Sequence, residues 1–332
     1  MQQKVLEEFW IALSENIVML SLVPTYPLLQ SVTSSPFLSP EKMMAIISSS
    51  YSIIFGNPKA FVPRWFSFKS PDYFSPYKWN YLYDIEPLKN TLNHFIDFQY
   101  LKKRNTHDSG GFPSRLIITS TDVQKGEPVI FDNNNMDIDV ESIAACVGYP
   151  FYGIQWTRKD SHYLWDGSLL TNTPMLEAIK RSPEHRKSFY IVDVFPRIQN
   201  ELPSNMIEVW HRARDIIFMD KTDTNIEMLK IRERYLTTLK KMHSIINSKE
   251  AKVDEKTRKR LNELESEYNE LVQSHGAVID KVTRISRTES VLHFLLEDTD
   301  FSYHRVKKLI REGEEDAENA IAAKKKEGTI EK

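Results

Sequence analysis

The sequence has little cysteine and little glycine. Cys146 is the single cysteine among 332 residues, so the chain cannot form an internal disulfide or a cluster of metal-binding thiolates, and a reducing compartment is favoured over secretion. The ten glycines include no two that lie four positions apart. The sequence therefore contains no Gly-x-Ser-x-Gly, the strand-to-helix turn that exposes the nucleophile of many serine hydrolases.

Strong charge and long apolar runs are also missing. The net charge of -2 gives no electrostatic reason to expect a nucleic acid partner. The first apolar run, residues 17 to 29, is interrupted by Pro24 and Pro27 and is shorter than the ~20 residues of a membrane-spanning helix. Glu7 and Glu8 occupy the place of the apolar part of a signal peptide. We therefore expect a cytoplasmic protein.

Two further expectations concern small ligands and membranes. The nine histidines show no His-Glu-x-x-His spacing, and we expect neither a metal nor a cofactor. The apolar run from residue 17 to 29 is interpreted as core, and the alternative is a lid or acyl-chain contact that brings the protein to a membrane periphery. Cys146 lies in an apolar stretch, residues 143 to 147, which is typical of a small core side chain.

One short segment contains a candidate catalytic residue. Asp166 follows the predicted strand His162 to Trp165 and precedes Gly167, which is expected to allow a backbone conformation closed to most residues. Pro174 fits the first turn of a predicted helix, Met175 to Arg181. A carboxylate held between two such elements can act as a base, although Asp-Gly-Ser between two elements is most often only a turn.

Around this turn the sequence resembles the patatin-like phospholipase family, in its bacterial and archaeal branch with a C-terminal helical extension. The family's Asp-Gly-Gly element corresponds to Asp166 and Gly167, with Ser168 in place of the second glycine, followed by Asn172 and Pro174. Other matching blocks occur in family order at residues 4–10, 55–64, 82–92, 116–131, 212–216 and 301–320.

The resemblance implies a Ser-Asp dyad that hydrolyses a lipid or another acyl ester. It makes Asp166 the catalytic base, with Gly167, Ser168, Asn172 and Pro174 as its supporting turn. In the family, the serine elbow and a Gly-rich oxyanion loop lie upstream of the block that begins here at residue 4. The chain is therefore expected to supply only the aspartate of the dyad. It is expected to be inactive alone, since loss of such a serine lowers turnover by about six orders of magnitude.

Two explanations for the missing serine are considered. The chain is either a fragment of a longer enzyme, or a second polypeptide provides the nucleophile. The alternative to both is a noncatalytic relative that binds lipid or protein. The Asp166 turn favours the enzyme, whereas Ser168 in place of glycine favours the noncatalytic relative.

The first 195 residues are predicted to form the C-terminal portion of a patatin-like α/β domain. A hairpin of strands is expected at 116–122 and 128–131, a helix at 140–147 and a buried strand at 188–194. Strands that alternate with helices indicate an α/β sheet. Ligands of open α/β sheets gather at the carboxyl ends of strands, and Asp166 follows a strand.

Residues 196–332 are predicted to form a helical extension. Apolar residues recur every three or four positions in two stretches, at Tyr235, Leu239, Met242 and Ile246 and again at Leu261, Leu264, Tyr268, Leu271 and His275. This pattern predicts an antiparallel helical hairpin at about 226–280, packed along the two stripes. A homodimer seam or a partner-binding groove is the alternative use of the stripes. The charged tail, residues 324 to 332, is expected to be disordered.

Overall fold

In the computed structural model, helices and short strands alternate as far as residue 195, and long helices follow. The structure describes residues 2–14, 40–66, 73–102, 115–181, 187–195, 198–199, 202–248, 254–275, 279–287 and 297–330. The chain is therefore a mixed α/β protein with several small sheets and a mainly helical C-terminal region. The apolar run from residue 17 to 29 lies outside the described residues.

The residues group into two compact units. The first contains residues 1–170, 203–209 and 290–315, and the second contains residues 171–202, 210–289 and 316–332. The predicted domain boundary between residues 195 and 196 falls inside the second unit, at a place where the grouping shows no division. The domain assignment itself stays a prediction.

Among the described residues, five helices lie wholly within the first unit, and three of them contribute to a small apolar core. The five are α1 Gln2–Ser14, α2 Pro40–Phe55, α3 Glu86–Phe95, α4 Phe98–Lys102 and α5 Val140–Ala144. Strands β1 Val62–Pro63 and β2 Tyr83–Asp84 pair antiparallel just before α3. The Asp84 carboxylate accepts a hydrogen bond from the Glu86 N–H at 2.8 Å, which satisfies one of the free donors at the start of α3. Leu88 and Leu92 then pack on Ala144.

Four antiparallel strands form the largest sheet among the described residues. They are β3 Ile117–Asp122, β4 Pro128–Asp132, β5 Thr157–Lys159 and β6 His162–Asp166, in the order β4-β3-β6-β5. The predicted hairpin is confirmed as β3 and β4. Its turn is organised by Asp122, whose carboxylate accepts the N–H groups of Gln124 and Lys125 at 2.9 and 3.0 Å. Gly126 closes the turn at φ 67, a conformation that favours glycine.

The pairing of β6 corrects one argument from the sequence. Asp166 was placed at a ligand-binding edge by a rule for parallel α/β sheets, but β6 pairs antiparallel with both β3 and β5. The two neighbouring strands therefore run opposite to β6, and the carboxyl ends of the strands do not share one edge. The position of Asp166 must be judged from its own contacts.

One face of this sheet is covered by the segment that contains α5. Leu164 of β6 is fully buried and packs with Phe131, Ile138 and Ala145. The helix α5 ends at Ala144, three residues before the predicted end. It begins with a capping box, in which Asp139 accepts the Ser142 N–H at 2.9 Å. Since α5 is short, this cap holds much of the covering segment in place.

The second unit combines helices with a parallel strand pair. Its elements are α6 Met175–Lys180, β7 Lys187–Asp193, most of α7 Met206–Ile246, α8 Glu255–His275 and β8 Ile279–Ser286. The last helix, α9 Tyr303–Ile330, includes residues of both units. The strand β8, which the sequence analysis did not predict, pairs parallel with β7. The expectation that residues 324 to 330 are disordered is wrong, because α9 continues through them.

The strand β7 was predicted at about its observed position, but it is buried on one face only. Ile191 packs with Met175, Ile179 and Leu229 in the core of the second unit. Val192, on the other face, is 69% exposed. The apolar run of this strand therefore reflects a one-sided core rather than a strand covered on both faces.

An ion-pair cluster ties β7 and β8 to α7. The guanidinium of Arg284 on β8 donates hydrogen bonds to the carboxylates of Asp193 on β7 and Asp223 on α7. Asp193 is almost fully buried, and its other carboxylate oxygen accepts the Phe195 N–H at 3.4 Å. Both oxygens of Asp193 are therefore occupied by contacts that hold the unit together.

Candidate functional site

Asp166 is the last residue of β6, and the backbone on both sides of its side chain is anchored. Its N–H donates to the Gly148 carbonyl at 2.8 Å, and its carbonyl accepts from the Thr121 hydroxyl at 3.0 Å. Gly148 lies just after α5 and Thr121 lies on β3. Two separate elements therefore fix the point from which the carboxylate projects.

The turn after Asp166 also fixes the direction of the carboxylate. Residues 167 to 169 form a single turn of 3-10 helix, and Asp166 caps it by accepting the Ser168 N–H on Oδ1 at 2.8 Å. The Leu170 N–H closes the turn on the Gly167 carbonyl at 3.0 Å. The turn thus holds the carboxylate, and Ser168 is its hydrogen-bond donor among the described residues, through its N–H and its hydroxyl.

Gly167 is required for a different reason from the one expected. Among the described residues, the glycines with φ in the left-handed region are Gly56, Gly126 and Gly153. Gly167 is not one of them. Instead, a Cβ at residue 167 would lie 2.4 Å from the carbonyl oxygen of Thr119 on β3. The expectation of an unusual backbone conformation is wrong, and close approach to the neighbouring strand takes its place.

The electrostatic surroundings distinguish Asp166 from its neighbours. Three other aspartates of the first unit pair with cationic or ring-nitrogen groups, namely Asp122 with His162, Asp132 with Arg115 and Asp139 with Lys159. Asp166 has no such partner among the described residues. Partial burial raises the pKa of its carboxyl group, and the hydrogen bonds from Ser168 offset only part of this effect.

The single cysteine lies close enough to Asp166 that the carboxylate affects the pKa of its thiol. Burial, and secondly the Asp166 carboxylate, raise the pKa of Cys146 to about 11. Its S–H donates to the Ile143 carbonyl at 2.9 Å. A thiol with this pKa is protonated at neutral pH and is a poor nucleophile, which agrees with its interpretation as a core side chain.

Ser120 is a neighbour that the sequence analysis missed. It is the cross-strand partner of Asp166 in the β3–β6 pair, so both side chains project from the same face, with Cβ atoms about 5 Å apart. Ser120 is fully buried, and its hydroxyl has no hydrogen-bond partner within the described residues. Strand alternation in β3 could have placed Ser120 on the core face, but only the register places it opposite Asp166.

The remaining residues of the predicted site lie further along the chain. Pro174 is the N-cap residue of α6, one position before the predicted first turn. Asn172 lies in the bend that leads to it and makes no hydrogen bond with described residues. Both belong to the second compact unit, whereas Asp166, Gly167 and Ser168 belong to the first.

A sizeable cleft of the first unit lies elsewhere. It has a volume of about 740 Å³ and is lined by residues of α1, α3 and the turn before β1, among them Lys59, Asn90 and His94. Asp166 does not line it. Within the described ranges, no group of three or more His, Cys, Asp or Glu side chains is arranged to hold a metal ion.

Comparisons with known proteins add no family assignment. No protein-family model matches the chain, and no curated protein matches it. Within the part of the chain that the structure describes, every helix is too short or too polar to cross a membrane. The geometry around Asp166 is therefore the main ground for a functional interpretation.

Proposed function

We propose that Asp166 is the general base of a Ser-Asp acyl hydrolase of the patatin-like phospholipase type. The substrate is a lipid or another acyl ester, and contact with a membrane would be peripheral. The serine nucleophile would come from sequence outside these 332 residues, either on the same polypeptide or on a second one. Alone, this chain would be catalytically silent.

The observation that carries the proposal is the state of the Asp166 carboxylate. It is held by a strand on one side and a capped turn on the other, and among the described residues only Ser168 donates hydrogen bonds to it. No cation neutralises it there, and burial raises its pKa. A structural aspartate such as Asp193 is instead saturated by its partners. Asp166 therefore keeps the capacity to accept a proton.

The chemistry follows from this capacity. A serine hydroxyl is a weak nucleophile until a base within about 3 Å accepts its proton. An oxygen of the Asp166 carboxylate would take that proton directly as the serine attacks the ester carbonyl. A base with a raised pKa binds the proton more strongly than an exposed aspartate does, so the transfer is less unfavourable. The oxyanion would need N–H donors from the same outside segment as the serine.

Reconstitution tests the proposal. A segment with a Gly-x-Ser-x-Gly elbow and its oxyanion loop, taken from a patatin-like enzyme, is fused to the chain or added as a separate polypeptide. Hydrolysis of a short-chain nitrophenyl ester is then measured. We expect activity that falls by orders of magnitude in Asp166→Asn, because asparagine keeps the turn cap but cannot accept the proton.

The matched control is Asp160→Asn. Asp160 is exposed in the β5–β6 turn at φ 53, a conformation that asparagine tolerates well. This variant should hydrolyse the ester as fast as the unmodified reconstituted protein. Equal activity with asparagine at position 166 would show that the dyad assignment is wrong.

A noncatalytic binding protein is the second candidate. The observations that favour it are the absence of Gly-x-Ser-x-Gly and the serine at position 168, where the family has glycine. A large exposed apolar surface on α7 also suits a binding role. This candidate predicts that reconstitution gives no ester hydrolysis, while the chain alone still binds a protein or a lipid.

A further inference from the structure

The hairpin of α7 and α8 closes along a polar and aromatic seam. The His243 ring of α7 stacks on the Tyr268 ring of α8 with centroids 3.9 Å apart and planes 8° from parallel. His243 Nε2 also lies 3.0 Å from a Glu265 carboxylate oxygen. Leu239 of α7 and Leu271 of α8 line one groove, so the helices run antiparallel, as predicted.

The apolar stripes that were expected to close the hairpin are largely exposed instead. The stripe side chains that remain between 38% and 69% exposed are Tyr235, Leu239 and Met242 on α7 and Leu264 and Leu271 on α8. Met228, Ile231 and Ile245 extend the exposed surface along α7 with exposures of 60%, 40% and 67%. The prediction of an antiparallel hairpin agrees with these helices, and Tyr268 of the α8 stripe lies in the seam, but most of the α7 stripe is exposed rather than packed.

These eight exposed side chains, which we call the hairpin face, form a surface large enough for a stable interface. Being 38% to 69% exposed, they leave an apolar surface on the order of several hundred Å², comparable with the ~800 Å² that each partner buries in a standard protein interface. The largest apolar patch of an ordinary monomer is about 300–600 Å². The face also contains a groove of about 260 Å³ between Tyr235, Leu239 and Leu271. A ridge of apolar side chains beside a groove suits a helix as the occupant.

Charge identifies which helix fits. Residues 228–246 of α7 include five Lys or Arg and one Glu, which gives a net charge of +4. Residues 261–275 of α8 include four Glu and no Lys or Arg, which gives a net charge of -4. On the outer borders of the face, Arg234 and Lys241 flank the α7 stripe, and Glu263 and Glu267 flank the α8 stripe. The face therefore has a basic border on one side and an acidic border on the other.

We propose that the hairpin face binds the same face of a second copy of this chain. A two-fold axis parallel to the helices brings the face onto its own copy so that the α7 border of one copy meets the α8 border of the other, whereas an axis perpendicular to the helices would bring like charges together. Basic and acidic helices then alternate around a four-helix bundle, with the exposed stripes as its core. A membrane is a poorer occupant of the acidic border, because anionic lipid headgroups would repel the four glutamates within residues 261–275. This inference does not depend on the proposed function.

The test is the oligomeric state of the full chain, measured by sedimentation velocity over a wide range of concentrations. We expect a monomer–dimer equilibrium. Leu239→Glu places a charge in the dimer core and should raise the dissociation constant by at least about tenfold, or about 1.4 kcal/mol. Thr237→Glu is the matched control, because Thr237 lies two residues from Tyr235 and so on the opposite side of α7. It should leave the dissociation constant unchanged.

Charge exchange provides a second test with exposed residues that are not needed for folding. Lys241→Glu alone and Glu267→Lys alone should each weaken the dimer, since each places like charges across the interface. The double variant with both exchanges should recover most of the wild-type affinity. Recovery would not occur if these residues affected association only through the stability of the hairpin.

Several outcomes would overturn the proposal. A wild-type chain that stays monomeric at all concentrations contradicts it directly. A dimer that Leu239→Glu does not weaken, with circular dichroism showing a folded variant, places the interface elsewhere. A monomer that sediments with anionic phospholipid vesicles, and loses this binding in Leu239→Glu, assigns the face to a lipid surface instead.

Discussion

Ser120 and Asp166 face each other across the β3–β6 pair; the Ser120 hydroxyl has no hydrogen-bond partner among the described residues, where the Asp166 carboxylate is bonded by Ser168 alone. Burial of an unbonded hydroxyl costs about 1–3 kcal/mol. Burial of the Asp166 carboxylate raises its pKa. The Ser120 hydroxyl beside the candidate base is thus a buried polar group left unsatisfied by the described residues, a kind of local strain that is common at functional sites.

Ser120→Ala should leave the free energy of unfolding unchanged or increase it by about 1 kcal/mol, because the substitution removes a buried hydroxyl without a partner. Ser142→Ala is the comparison. Ser142 is equally buried but forms the capping box of α5 with Asp139, so its loss should cost about 1 kcal/mol. Urea unfolding of both variants measures the difference. A Ser120→Ala variant that is clearly less stable would show that the hydroxyl has a partner in solution.

Gly167→Ala should lower the free energy of unfolding by about 1–3 kcal/mol through overpacking against β3, because its Cβ would meet the Thr119 carbonyl at 2.4 Å. Gly313→Ala is the same substitution in the open, within α9 and with no atom within 4 Å of the new Cβ. It should raise stability by up to about 1 kcal/mol through helix propensity. Opposite signs in thermal unfolding are the expected result, and similar small effects would mean that β6 and β3 can separate at no cost.

Arg284→Ala should destabilise the second unit by about 3–5 kcal/mol, because it leaves the buried carboxylate of Asp193 without its cation. Lys281→Ala, on the same strand, removes a cation that has no carboxylate partner among the described residues and should cost much less. Chemical denaturation of both variants checks the prediction. Equal losses would mean that the cluster contributes no more than any side chain of β8.

Acid should weaken the contribution of Asp122. Its hydrogen bond with His162 and those from the turn hold the pKa of its carboxyl group below the usual 3.8. The unfolded chain therefore binds this proton at a higher pH than the folded chain does, and the stabilisation is present above pH 3.8 and lost as pH falls through the folded pKa. Asp122→Asn should thus be less stable than wild type near neutral pH, and the gap should close in acid. A gap that stays constant with pH would contradict the depressed pKa.

Local patterns were enough to predict several elements. The alternation of apolar and polar residues, together with turn residues, predicted β3, β4 and β6. The polar residue Asp139 agrees with the start of α5. The strand β8 was missed because residues 279–286 mix charged and apolar side chains, and its stability comes from pairing with β7 about ninety residues earlier. No local pattern contains that information.

The candidate site shows the same limit. Asp166 could be found from the sequence because a strand, a glycine and a helix start occur in order around it. Ser120 and Gly148 could not, because the register of β3 against β6 and the approach of the segment after α5 bring them to Asp166. The reason for Gly167 was also misjudged, since a steric contact with Thr119 replaces the expected backbone conformation.

The hairpin shows that an apolar period identifies a helix more reliably than it identifies the partner of that helix. Both stripes occur on helices, but the seam uses His243 on α7, outside the α7 stripe, and on α8 it uses the stripe residue Tyr268 beside Glu265. The seam lies about one quarter turn away from the exposed stripe on α7. Period alone does not distinguish a stripe that faces its own chain from one that faces a second copy.

The last prediction concerns the cost of keeping a base at position 166. Burial raises the pKa of Asp166, so the folded chain holds this proton at a higher pH than the unfolded chain does. At a pH above the folded pKa, the buried charge destabilises the fold, and below the unfolded pKa this penalty is absent because both states are neutral. Asp166→Asn keeps an oxygen that can accept the Ser168 N–H, and asparagine is as good a cap as aspartate.

Asp166→Asn should therefore be more stable than wild type near neutral pH, and the advantage should disappear in acid. The pH dependence is opposite in sign to that of Asp122→Asn, so the two variants control for each other in one series of urea unfolding curves. Nuclear magnetic resonance titration of the Asp166 carboxyl carbon would give its pKa directly. A variant that is less stable at neutral pH would mean that the carboxylate stabilises the turn through its charge. Asp166 would then be a structural cap, and its assignment as a base would lose its physical support.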